Sequence, residues 1–295
     1  MSVKLENLIA PLFVLIWSTG FVIARMAMPY VEPATFLSWR FAGVLMVMAF
    51  MSLIWKMTWP SKSQIAHIAI AGLLLQFGYL MGVWFAVYLG MTAGLIAIIV
   101  GLQPILTAWF AAWVSETVSA RQWVGLGFGF AGVALVVAEK IGFVQIPLAS
   151  YALAFSALLS ITFGTLYQKK YCPVFDLRAG SSIQFGVSAV LSFACMYFFE
   201  TGVMVWNAPV MFALLWAIFP LSIGSISLLF MMIRKGAATK VTSLLYLTPP
   251  TTAALAWLIF DEPFTVLMAA GLALTMTGVV LVNARQTRVV ATIAE

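Results

Sequence analysis

Residues 90–138 read GMTAGLIAIIVGLQPILTAWFAAWVSETVSARQWVGLGFGFAGVALVVA, and residues 236–284 read GAATKVTSLLYLTPPTTAALAWLIFDEPFTVLMAAGLALTMTGVVLVNA. The two stretches align without a gap at an offset of 146 residues. Gly90 falls on Gly236, Pro104 on Pro250, Ala108 on Ala254 and Glu116 on Glu262. Gly125-Leu126 falls on Gly271-Leu272, Gly132-Val133 on Gly278-Val279 and Leu135-Val136 on Leu281-Val282. Apolar runs match one another easily, but shared Gly, Pro and Glu positions are harder to obtain by chance. Upstream the match thins and shifts to an offset of 144, where Gly20 meets Gly164, Arg25 meets Lys169, Pro29 meets Pro173 and Arg40 meets Gln184. The chain therefore reads as two related halves, 1–144 and 145–295.

The solvent for those halves follows from composition. Of 295 residues, 64% are apolar or aromatic and only 8% are charged, against roughly 25% charged in an ordinary soluble domain. Mean hydropathy is +1.09. A water-soluble fold must expose much of its surface and has nowhere to hide so much apolar area; lipid removes the conflict. The net charge of +6 does not point to nucleic acid, because the basic residues sit in short gaps between apolar runs and form no stripe on a soluble face. Cys172 and Cys195 suit neither a disulfide nor a metal site, and no cofactor is expected. The first apolar run lacks a small-residue cleavage site and reads as a retained helix.

A membrane-crossing helix needs about 20 apolar residues. Ten such runs occur, at 7–25, 33–55, 65–88, 91–114, 122–138, 149–168, 179–199, 210–233, 241–260 and 264–284. With both termini placed in the cytoplasm, the inner segments carry Lys4, Lys56, Lys62, Arg121, Lys169, Lys170, Arg178, Arg234, Lys235, Lys240, Arg285 and Arg288. The outer ones carry only Arg25 and Lys140. That asymmetry is the positive-inside pattern, and a missed or invented helix would scramble it. Five runs per half is an odd number, so the second half enters the membrane from the opposite side. The fold predicted is an all-α integral membrane protein of ten transmembrane helices in two inverted five-helix repeats, an architecture by which secondary transporters expose one central site to either side.

The sequence resembles the drug/metabolite transporter superfamily, in particular its ten-helix EamA-type members. The likeness lies in Trp17-Ser18-Thr19-Gly20-Phe21 followed by Arg25, Pro33 and Arg40. It lies also in Glu116 with Gly125 and Gly132, and Glu262-Pro263 with Gly271 and Gly278. It covers nearly the whole chain; the departure is Ser18, where the family usually has Gly. The resemblance implies transport of amino acids, drugs or other metabolites, mostly outward, and a multi-pass protein of the bacterial inner membrane.

Candidate solute contacts are the polar groups in mid-span, which are costly in lipid and so tend to be satisfied or functional. Gln76 and Gln103 offer amides able to donate and accept, or glue between helices. Tyr79 follows Gln76 on the same face. Tyr246 and Thr248 precede Pro249-Pro250, and Pro104 occupies the matching place in the first half. Prolines there free carbonyls one turn back, and broken helices at corresponding points are the best pointer to a transporter's site. Trp17 and Ser18 join them from the first helix. Arg40, about 10 Å into its helix, either holds a solute carboxylate or, as the resemblance favours, serves structure or gating together with Pro104, Pro249 and Pro250.

No Asp or Glu lies deep in any span. Exchange of protons for cations at a buried carboxylate is therefore disfavoured, and a neutral, zwitterionic or amphipathic solute fits better. The function expected is a metabolite exporter, with amino acids leading; efflux of toxic amphipathic compounds is the alternative, and lipid flipping a third. An intramembrane enzyme is disfavoured: no paired mid-span Asp and no Ser–His pair is present, His67 is the chain's lone histidine, and no Lys follows Lys240 in the last spans. A monomer is the default, since ten helices enclose a cavity alone.

Overall fold

A computed structural model describes residues 3–91, 96, 99–138, 146–235, 238–260 and 265–283. Glu139, Lys140, Gly236, Glu262, Pro263, Arg285 and Arg288, used above, lie outside the described residues, as do the side chains of Lys4, Phe21, Arg25, Lys235, Lys240 and Pro249. The described chain is helical apart from loops and one isolated bridge between Val31 and Met204. In order come α1 (Val3–Ala27), α2 (Pro33–Ile54), α3 (Lys62–Gly72), a π-helical turn (Leu73–Gly78) and α4 (Tyr79–Tyr88). Next are α5 (Gln103–Trp109), α6 (Ala120–Ala138), α7 (Leu148–Tyr171), α8 (Leu177–Phe199) and α9 (Ala208–Trp216). A second π-helical stretch (Ala217–Ser225), α10 (Ile226–Lys235), α11 (Ala238–Ser243), α12 (Thr248–Phe260) and α13 (Val266–Asn283) complete the chain. Five described helices have the length and hydropathy to cross a membrane: Pro33–Ile54, Lys62–Tyr88, Leu148–Tyr171, Leu177–Phe199 and Ala208–Arg234. This is a multi-pass membrane protein. Its outward-facing large apolar residues, such as Leu53, Phe198 and Val266, are what a lipid-facing surface requires.

The helices pack reciprocally between the halves. The π turn and α4 lie on α7, and the second π stretch with α9 and α10 lies on α1. α2 pairs with α8, and α6 with α13. The last pair touches backbone to backbone. A Cβ on Gly132 would stand 2.6 Å from the Gly271 carbonyl oxygen, and one on Gly278 would stand 2.5 Å from that of Gly125. Small residues permit that approach where lipid supplies no hydrophobic drive between helices.

The α2–α8 pair is tied at both ends. Pro33 opens α2 without a capping side chain of its own. Glu200, just past α8, supplies the cap instead: its Oε1 accepts from the Ala34 N–H at 2.7 Å, and its Oε2 from the Thr35 N–H and hydroxyl at 2.7 Å each. Glu32 answers by accepting from the Thr201 N–H at 2.8 Å and hydroxyl at 2.7 Å. At the other end Asp176 caps α8 through Arg178 N–H at 2.9 Å and accepts from the Thr58 N–H at 3.3 Å. Carboxylates at helix N-termini satisfy orphan donors and meet the positive end of the dipole. Glu200→Ala is expected to lower stability by about 1–3 kcal/mol, the scale of charge-assisted bonds, read as a lower melting temperature in detergent.

Asp176 adds a pH signature. The Arg178 side-chain hydrogen bond holds its carboxyl down at about 2, below the unfolded value near 3.9. Its contribution is complete above pH ~4 and fades as pH falls towards ~2. Melting followed across that window should slope in the wild type and flatten in Asp176→Asn.

Near the Tyr171 end of α7, His67 Nδ1 lies 2.7 Å from the Tyr167 hydroxyl and its ring stacks on Tyr171 at 5.0 Å. Lys170 Nζ sits 5.0 Å over the Trp113 ring. Such aromatic and basic clustering is that of a membrane–water interface.

Candidate functional site

α1, α2, α4, the two π stretches and α10 enclose a pocket of about 630 Å³ of non-atom space, its open mouth included. Trp17, Gly20, Ile23 and Ala24 come from α1, and Arg40 from α2. Leu75, Gln76, Tyr79, Leu80, Val83 and Trp84 come from the run Lys62–Tyr88, and Leu221, Ser225 and Ile226 from the facing run.

The π stretches shape the walls. A π turn places one more residue per hydrogen-bonded loop than an α turn, and such bulges recur at functional sites. In the second stretch Pro220, with no N–H and a ring that obstructs the preceding turn, breaks the α ladder. The Ala217 carbonyl accepts from the Ser222 hydroxyl at 2.7 Å. Ser222 Oγ in turn accepts from Arg40 Nε at 2.8 Å. In the first stretch there is no proline; glycines bracket it instead. A Cβ on Gly72 would meet the Gln184 backbone on α8, and one on Gly78 would meet Ser160 on α7. The bulge turns Gln76 into the pocket wall, 0% exposed, with neither amide nitrogen nor amide oxygen hydrogen-bonded.

The aromatic wall is built in pairs. Trp17 stacks on Tyr79 with centroids 6.2 Å apart and planes 13° from parallel, and Phe13 buttresses it at 5.2 Å. Trp84 stacks on Phe36 at 4.8 Å. Arg40 is 5% exposed. Its Nε donates to Ser222, and among the described residues no further hydrogen bond and no carboxylate engages the guanidinium.

Of the residues singled out from sequence, Trp17, Gln76, Tyr79 and Arg40 share this pocket. The others stand elsewhere. Ser18 donates to the Val14 carbonyl at 2.7 Å and the Thr248 carbonyl at 3.4 Å, knitting α1 to α12. Tyr246 is fully buried against Gly129 in the cluster of Leu126, Val133 and Val282. Gln103 donates to Thr165 Oγ1 at 3.3 Å, and Gln184 donates to the Gln168 amide oxygen at 2.9 Å. Pro104 falls in the first turn of α5, and Pro249-Pro250 in the first turn of α12, after a 3₁₀ segment at Leu244–Leu247. A helix restarts at both points, as prolines tolerate in a first turn. Ser222, Ser225 and Leu221 were passed over. Their signal was Pro220 amid Ser222, Gly224 and Ser225, at the position matching Gln76 by the 144-residue offset.

Comparison with known proteins places these features. Over 94% of the chain a crystal structure superposes with a TM-score of 0.78 at 18% identity, covering 96% of that chain and marking a shared fold. The uncharacterized transporter YvbV of Bacillus subtilis is 28% identical over 287 residues, 94% of this chain and 91% of its own length. A protein of Escherichia coli named probable amino-acid metabolite efflux pump is 22% identical over 284 residues, 92% of this chain and 93% of its own. The model of the EamA-like transporter family matches residues 4–138 and again residues 148–284. A helical membrane chain that matches one transporter family along both halves belongs to that family: it is an EamA-like transporter.

Proposed function

We propose that the chain is a secondary transporter exporting small metabolites, amino acids or other neutral and zwitterionic amphipathic solutes, through alternating access to a mid-membrane cavity. One observation carries this reading: the Gln76 amide is buried on the pocket wall with all its hydrogen-bonding capacity unused. A buried unpaired polar group costs about 1–3 kcal/mol, and a solute that bonds it returns that free energy on binding. The stacked Trp17 and Tyr79 beside it supply an apolar face for the rest of the solute.

Alternating access rests on inverted halves of five spans each, 1–144 and 145–295, with both termini cytoplasmic in a bacterial inner membrane. Reciprocity supports it. Glu32 and Asp176 stand 144 residues apart, and each accepts a backbone N–H from the other half, Thr201 and Thr58 respectively. The π stretches begin at Leu73 and Ala217, at that same offset. Gly132 meets Gly271 as Gly278 meets Gly125. The Gln103, Gln168 and Gln184 amides, and with them Ser18, Tyr246 and Thr248, are then the candidate counterpart that parts when the opposite side opens.

A thermal-shift screen of purified protein against amino acids, nucleosides, polyamines and cationic dyes tests it, because a true ligand stabilises by mass action. Hits go to counterflow in proteoliposomes. An amphipathic amino-acid-like hit is expected, with Trp17→Ala losing at least about tenfold in counterflow, the scale of stacking lost from one aromatic. A hit whose shift is unchanged in Trp17→Ala and Gln76→Ala binds elsewhere and sinks the site.

A further inference from the structure

We propose that the preferred solute is a monoanion, an apolar carboxylic acid with no free ammonium, whose carboxylate pairs with Arg40. This rests on reading the pocket as the transport site and goes beyond the neutral and zwitterionic solutes named above to an anion.

The inference is one of charge. Among the described residues the pocket wall carries one cation, Arg40, and no carboxylate. An isolated charge in a low-dielectric interior is expensive unless paired. Hydrogen bonding to Ser222 fixes the guanidinium through Nε but supplies no opposite charge. It leaves the two Nη groups, a fork that fits a carboxylate's two oxygens. A carboxylate there cancels the charge. A zwitterion brings a second cation into the same cavity. Its ammonium would find no carboxylate there, only neutral acceptors (the Gln76 carbonyl and the Tyr79 and Ser225 hydroxyls) and aromatic faces, with an Arg cation close by. An amine without a carboxylate meets repulsion alone. The remaining wall, Ile23, Leu80, Val83 and Leu221 beside Trp17 and Trp84, takes the apolar body. The Gln76 N–H groups complete the acceptor needs of an acid better than of an alcohol, since charged acceptors make the stronger bonds.

Five probes that share a phenylethyl frame separate the terms: 3-phenylpropionate, N-acetylphenylalanine, phenylalanine, 3-phenylpropan-1-ol and 2-phenylethylamine, titrated onto the purified protein by thermal shift. The two acids without a free ammonium are expected to bind at least about tenfold tighter than phenylalanine, and the alcohol and amine weaker still. Arg40→Gln should weaken both acids by about tenfold or more and erase their advantage over the alcohol, and Arg40→Lys should restore part of it. The wild-type series stands without the variants, so a misfolded Arg40→Gln does not blunt the test. If phenylalanine or the alcohol binds as tightly as 3-phenylpropionate, the carboxylate assignment falls. Should Gln76→Ala still abolish that binding, the pocket survives the loss. If none of the five binds, the proposal is overturned outright; if they bind and Gln76→Ala changes nothing, the pocket itself is the wrong place.

Discussion

Gly278→Leu is expected to leave little folded protein to purify. The Gly278 Cα lies against backbone alone: an added Cβ would sit 2.5 Å from the Gly125 oxygen and 2.5 Å from the Gly129 nitrogen. No rotamer change relieves such a contact, because main chain has no rotamers. α6 and α13 must separate, and with them go the packing of Leu126, Val133, Val279 and Val282 around Tyr246. Overpacking typically costs 1–3 kcal/mol where side chains yield; here none do, so a loss of about 3 kcal/mol or more is expected. Size-exclusion profile and yield measure it. Gly127→Leu is the control, since nothing lies within 4 Å of its Cβ position. Equal behaviour of the two variants would refute the seam.

Gln76→Leu is expected to move stability and transport in opposite directions. The wild-type amide is fully buried and unbonded at both atoms. An apolar side chain of similar volume removes that penalty, so the ligand-free protein should gain about 1–3 kcal/mol and melt several degrees higher. Transport should fall at least about tenfold, because the solute loses a donor and an acceptor together. A drop in ligand-free melting temperature would mean that the amide has a partner in the resting protein, and the case for its waiting on a solute would collapse. A gain with unaltered transport would make Gln76 a packing residue.

Much of this was legible in one dimension, for reasons that differ by residue. Membrane insertion was readable because lipid demands apolar runs and leaves charges only at their ends. The glycine seam was readable because Gly125, Gly132, Gly271 and Gly278 recur at fixed spacing, and repetition exposes what a single glycine does not. Trp17, Gln76, Tyr79 and Arg40 were identifiable one at a time from the cost of polar groups in mid-membrane. Their convergence in one pocket was not, since α1, α2 and α4 meet there only through tertiary packing. An intramembrane phenol such as Tyr246 looks like a ligand group in sequence, and only the fold shows the space beside Gly129 that takes its ring. Ser222 escaped because a serine in an apolar run usually bonds its own helix; only the π stretch around Pro220 turns it towards Arg40.

The carboxylate ties at either end of α2 and α8 bear on how such a molecule would move. Main-chain amides are fastened at both rims of this pair, so under the alternating access proposed above it is expected to stay fixed while the other helices swing. Spin labels set on opposite sides of it should report a single, narrow distance whether or not solute is added. Labels that bridge the Trp17 and Leu221 walls should instead report two.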